Sequence, residues 1–168
     1  TEQAIEPLLT SEDWGQATIK AASAWNQGVL GEGVIVAVID TAVDITHPQL
    51  KNQFAINELE VNGQTGVDDD GDGYVDDYAG WDFIDNSPSK VITNSKDYHG
   101  SHVAGIIAAD PTAGDFSGVA PKAKILQASF LDQTHGSVGA AILAMEYAAK
   151  RGAKVINASW GGPLCSET

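Results

Sequence analysis

The sequence predicts an α/β fold: a parallel β-sheet flanked by helices. Three features carry that prediction. Residues 34–39 are six apolar residues, mostly β-branched, with no polar alternation, the pattern of a strand covered on both faces. Strand-like runs at 123–130 and 154–159 are separated by helix-like stretches at 102–109 and 137–151, and strands alternating with helices pair in parallel. The 168 residues suffice for one domain and show neither an internal repeat nor a low-complexity linker.

In chain order, a polar entry leads into a short helix over about 19–25, and Gly28, Gly31 and Gly33 then break the chain before the first strand. From 56 to 94 the texture changes to Gly, Asn and Asp, and 68–77 is almost wholly acidic. A segment of this length inside a compact domain reads as a functional insertion, with a short strand at 80–84. Pro121 precedes the second strand. The helix at 137–151 has Gly152 as its C-terminal stop. Gly161, Gly162 and Pro163 end the last strand.

Nine Lys and Arg against 23 Asp and Glu give a formal charge of -14. That balance excludes a nucleic-acid surface, which needs clustered basic residues to displace counterions. It suits a soluble protein, or one whose carboxylates hold metal cations. No stretch approaches the roughly 18 apolar residues of a membrane span. Thr1–Ala4 is not the basic start of a signal peptide; a processed protein with an extracellular or periplasmic home is expected, with an intracellular one as the alternative. Cys165 is the only cysteine, so no internal disulfide can form.

Asp40 follows the first strand at the carboxyl edge of the sheet, where open α/β sheets place ligands; taken alone, a turn or helix cap is the better account of it. His99-Gly100-Ser101-His102 opens the next helix. The pair lacks the Glu and the i, i+4 spacing of a zincin helix, whereas a histidine at a helix start can act as a base, with Gly100 leaving room for substrate. A nucleotide-binding reading fails because Gly28, Gly31 and Gly33 precede the strand. Asp68-Asp69-Asp70-Gly71-Asp72-Gly73 fits the opening of a calcium loop, with Gly73 at the sharp turn, but Ala79 stands where an EF-hand needs Glu. Clustered carboxylates repel one another unless a cation sits among them. Asp68, Asp70, Asp72 and either Asp76 or Asp77, with the Tyr74 carbonyl, are the candidate ligands for a structural Ca2+.

The segments from Gly33 to Thr41, from His99 to Ile106, Ser117-Gly118-Val119-Ala120-Pro121, and from Val155 to Pro163 occur in order and with matching secondary structure. Together they resemble the subtilases, the subtilisin-like serine proteases, over the N-terminal part of the catalytic domain. The resemblance implies that Asp40 orients an imidazole and stabilises its charged form, and that His99 is general base and then general acid. Aspartate before histidine is also the subtilisin chain order. The chemistry requires both groups: a serine hydroxyl is a weak nucleophile until a base takes its proton, and the base needs a fixed tautomer.

The resemblance further implies a cleft that binds polypeptide substrate as an added strand, between Thr134-His135-Gly136 and Ser159-Trp160-Gly161. Gly136, Ser159, Trp160 and Gly161 are thus the candidate substrate-binding residues. Ala42 and Ser101 replace the usual Gly and Thr and are small enough to be tolerated, whereas Trp160 is bulkier than the usual Leu and reshapes the specificity pocket. Related Asp/Gly/Asn-rich insertions in subtilases bind calcium, which supports the acidic loop. A second family calcium site is not expected, since Gln49 and Asp110-Pro111-Thr112 depart from its pattern. The oxyanion asparagine and nucleophilic serine motifs do not occur in these 168 residues. The expectation is that a companion C-terminal chain of the same protease, released by an autocatalytic nick, supplies them and completes the sheet. A non-catalytic, calcium-binding scaffold is the alternative, and the intact Asp40/His99 pair speaks against it.

Overall fold

The computed structural model describes residues 14–89, 98–132 and 135–161. In chain order its elements are α1 (Trp14–Thr18), α2 (Ala21–Trp25), β1 (Ile35–Asp40), α3 (Glu58–Asn62), β2 (Gly80–Asp82), β3 (Ser87–Pro88), α4 (His99–Ala108), β4 (Lys124–Ser129), α5 (Val138–Lys150) and β5 (Val155–Asn157). The strands form one sheet in the order β3-β2-β4-β1-β5. β1 pairs in parallel with β4 and β5, and β2 with β4; among the strands of the described residues, the short β2–β3 pair is the antiparallel one. The fold is the predicted α/β sheet flanked by helices.

The continuous apolar character of β1 has the expected cause. Val36 and Val38 pack into a core with Val103, Ala104 and Ala108 of α4. Ala37 and Ile39 face the opposite core, with Ala141, Ala144, Tyr147 and Ala148 of α5. A strand sandwiched this way has no solvent face to mark with polar residues. At the sheet edge, Val155 and Ile156 of β5 remain 50 % and 44 % exposed.

Several boundaries differ from expectation. The helix expected at 19–25 is shorter, α2 over Ala21–Trp25, and a separate helix, α1, precedes it; Lys20 takes the left-handed conformation (φ 58°) and breaks the chain between them. Asp40 is the last residue of β1 rather than the residue after it. α4 begins at His99, so the whole His99–His102 segment is helical. β5 ends at Asn157, leaving Ser159 beyond the strand. The insertion contains α3, β2 and β3, and its last residues, 90–94, lie outside the described residues. So do Thr134, Gly162, Pro163 and Cys165.

Candidate active site

β1 delivers Asp40 to the carboxyl end of the sheet, and α4 starts directly above it. His99 Nδ1 lies 2.6 Å from Asp40 Oδ1. The carboxylate is almost wholly buried, while the imidazole is 53 % exposed. A carboxylate only accepts hydrogen bonds, so this contact places the proton on Nδ1 and leaves Nε2 to exchange one. Thr41 N–H donates to the same Oδ1 at 2.7 Å, and Gly100 N–H donates to Thr41 Oγ1 at 2.9 Å. The start of α4 is thereby anchored to the residue that follows Asp40. Ser101 Oγ extends the anchor by accepting from Asp44 N–H at 2.8 Å. Gly100 permits the approach: a Cβ there would meet the Thr41 carbonyl oxygen well inside contact distance and lie 3.0 Å from that of Ala42.

The candidate cleft residues lie at the same end of the sheet. Gly136 bridges antiparallel to Leu131 just after β4, and a Cβ on it would lie 2.9 Å from that of Leu131. Ser159, Trp160 and Gly161 follow β5 and are exposed. Trp160 reaches inward, donating its indole N–H to Ile39 O at 2.7 Å and resting 4.7 Å from the Phe130 ring centroid. Ser159 Oγ accepts from Asn157 Nδ2 at 2.8 Å.

In the acidic loop, oxygens of Asp68, Asp70 and Asp72 lie within 4.8 Å of one another, as do oxygens of Glu60, Asp70 and Asp77. Asp76 joins neither group; its oxygens accept from Gly66 N–H at 2.9 Å and Tyr78 O–H at 2.7 Å. Tyr74 contributes its ring to an aromatic cluster with Trp81, Phe83 and Tyr147. Asp68 accepts from the N–H groups of Gly71, Asp72 and Gly73. Burial, then the charges of Asp77 and Asp70, push the Asp72 carboxyl up to about 6. Its Oδ2 is buried without a hydrogen-bond partner among the described residues. Burial also raises Asp70, but hydrogen bonds from Asn57 and Asp72 and the Arg151 charge together hold it below the usual carboxylate range. Carboxylates this close, one resisting ionisation and holding an unused oxygen, fit a hard divalent cation.

Sequence reasoning missed two structural acids. Glu60 is 2 % exposed and accepts from the N–H groups of Asp69, Asp70 and Asp76, which makes it the hub of the loop. Asp77, expected only as a ligand, also anchors the loop to α5. It accepts from Asn57 Nδ2 at 2.6 Å, from Tyr147 O–H at 2.6 Å and from the Arg151 guanidinium. Burial still pushes the Asp77 carboxyl up despite those donors. One of two Glu in a short helix gives no sequence signal for such a role.

The Subtilase family model matches residues 31–167. The chain is 36 % identical over 153 residues to the major intracellular serine protease of Bacillus subtilis (strain 168), covering 89 % of this chain and 40 % of that protein. It is 33 % identical over 161 residues to thermitase of Thermoactinomyces vulgaris, covering 95 % and 48 % respectively. The crystal structure of a lanthipeptide protease superposes with a TM-score of 0.62 at 28 % identity, covering 89 % of this chain and 35 % of that one. The chain therefore spans less than half the length of each of these relatives. With the order of its motifs, its sheet and its family match all in agreement, the chain belongs to the subtilase family.

Proposed function

We propose that the chain is the N-terminal part of a subtilisin-like serine endopeptidase, in which Asp40 and His99 serve a nucleophilic serine contributed by polypeptide outside these 168 residues. The observation that carries this reading is the 2.6 Å contact between a buried carboxylate and a half-exposed imidazole at the carboxyl end of the sheet. Asp40 holds the Nδ1–H tautomer and offsets the positive charge that His99 acquires. His99 Nε2 takes the serine proton as the hydroxyl attacks the peptide carbonyl, then returns it to the leaving amine. Gly136 and the Ser159–Gly161 segment bind the substrate backbone as an added strand. The serine and oxyanion donor belong to the C-terminal part of the same protease, as a continuous or a nicked companion chain. The half-exposed apolar side chains of β5 support further packing at that edge. Asp68, Asp70 and Asp72 hold a structural calcium ion, with Asp77 close to Asp70.

The test is labelling with a fluorophosphonate, which modifies only an activated serine, applied to the full-length enzyme. Wild type should label. His99→Ala should neither label nor turn over peptide while keeping its fold by circular dichroism, and Asp40→Asn should lose about 10⁴ in kcat. Undiminished turnover in His99→Ala would overturn the assignment. A wild type that never labels would favour the scaffold reading.

A further inference from the structure

Strands covered on both faces are ordinarily apolar, yet β4 carries Gln127 and Ser129, at 0 % and 1 % exposure. Both lie on the α4 side of the sheet. Side chains alternate along a strand; Ile125 belongs to the α4-side core, and Gln127 and Ser129 follow it at two-residue steps. On β1, Val36 and Val38 belong to that core and Asp40 follows in the same way. The strand register sets Asp40 beside Ser129 and Val38 beside Gln127. Three buried polar side chains therefore converge behind the His99–Asp40 contact.

Asp40 spends Oδ1 on both His99 Nδ1 and Thr41 N–H. Its Oδ2, Ser129 Oγ and both amide atoms of Gln127 are buried without a hydrogen-bond partner among the described residues. Asp82, opposite Ser129 on β2, turns its carboxylate to the N–H groups of Ile84 and Asp85 instead. Unpaired buried polar atoms are costly, and four of them in one place call for a shared partner. None bonds directly to another, and a water held among them would satisfy them together. Buried waters make about three hydrogen bonds, and the donor and acceptor types here match: Gln127 Nε2 donates, the Ser129 hydroxyl does either, and Asp40 Oδ2 accepts.

We infer that Ser129 and Gln127 form a buried water-binding pocket behind Asp40, and that Ser129 is a positioning residue that acts through this water. The water hydrogen-bonds Oδ2 and fixes the carboxylate plane, so that Oδ1 stays on His99. This role rests on the proposal that Asp40 and His99 are catalytic, although the pocket itself does not.

The full-length enzyme carrying Ser129→Val or Ser129→Thr tests it; the two side chains are nearly isosteric and only Thr keeps the hydroxyl. Ser129→Val should lower both the fluorophosphonate labelling rate and kcat up to about tenfold, the loss expected for one hydrogen bond between neutral groups, with KM for peptide unchanged. Ser129→Thr should restore the wild-type rate. Equal slowing by Val and Thr would indicate packing alone and overturn the inference, as would wild-type labelling by Ser129→Val. A high-resolution crystal structure of the wild type is the measurement independent of variant folding: it should show water bonded to Asp40 Oδ2 and Ser129 Oγ, and a dry pocket would refute the inference. Failure of the wild type to label would strike the catalytic proposal, while the crystal structure would still judge the pocket.

Discussion

Gly100→Ala sets helix propensity against site geometry. Propensity alone favours Ala over Gly inside a helix by about 1 kcal/mol. At this position the new methyl would meet two backbone carbonyls, those of Thr41 and Ala42, and neither can swing away as a side chain would. Restoring ordinary contact requires the start of α4 to retreat by about 1 Å. The His99–Asp40 contact, now 2.6 Å, would open to about 3.6 Å, beyond hydrogen-bond range. A misplacement of that size costs about 100-fold in rate, and overpacking costs about 1–3 kcal/mol in stability. Packing therefore outweighs propensity. Gly105, on the same helix, has nothing within 4 Å of an added Cβ, so Gly105→Ala should gain up to about 1 kcal/mol without loss of activity. Urea unfolding and fluorophosphonate labelling rates on the full-length protein measure both quantities. The reasoning fails if Gly100→Ala labels as fast as wild type and is stabilised as Gly105→Ala is.

Three further outcomes follow from the acidic insertion. Arg151→Met should destabilise by about 3–5 kcal/mol in urea unfolding, because it strands the buried Asp77 carboxylate without its cation; adding Asp77→Asn should recover much of the loss. Tyr147→Phe, which deletes one donor to Asp77, should cost less, about 1–3 kcal/mol. Removing calcium with a chelator should lower the melting temperature and increase proteolysis within 58–82, added calcium should reverse both, and Asp72→Asn should blunt the response. A melting temperature indifferent to chelator would exclude the cation.

The comparison of sequence with structure divides along physical lines. Local apolar patterning made the central elements legible: β1, β4, α4 and α5 each bury a face or both faces, and burial leaves a mark on composition. Asp40 and His99 were legible as candidates through the subtilase motifs; the end of a strand and the start of a helix alone leave each open to a structural reading. The break at Lys20 was not legible, since its left-handed backbone carries no compositional signal. Nor was the structural use of Glu60 and Asp77. Both are acids in an acidic stretch, and only their burial against backbone N–H groups, Asn57, Tyr147 and Arg151 distinguishes them from solvated neighbours.

The sequence by itself determined the alternation of strands and helices, the acidic character of the insertion, and the order in which carboxylate and imidazole occur, because each depends on residue type along a single segment. Tertiary structure alone decided that residues 59 positions apart meet at 2.6 Å, that Trp160 ties the segment after β5 to β1, and that Ser129 and Gln127 stand behind Asp40. Those are distances between segments remote in the chain, set by sheet register and helix docking, and neither is written in any one stretch of residues.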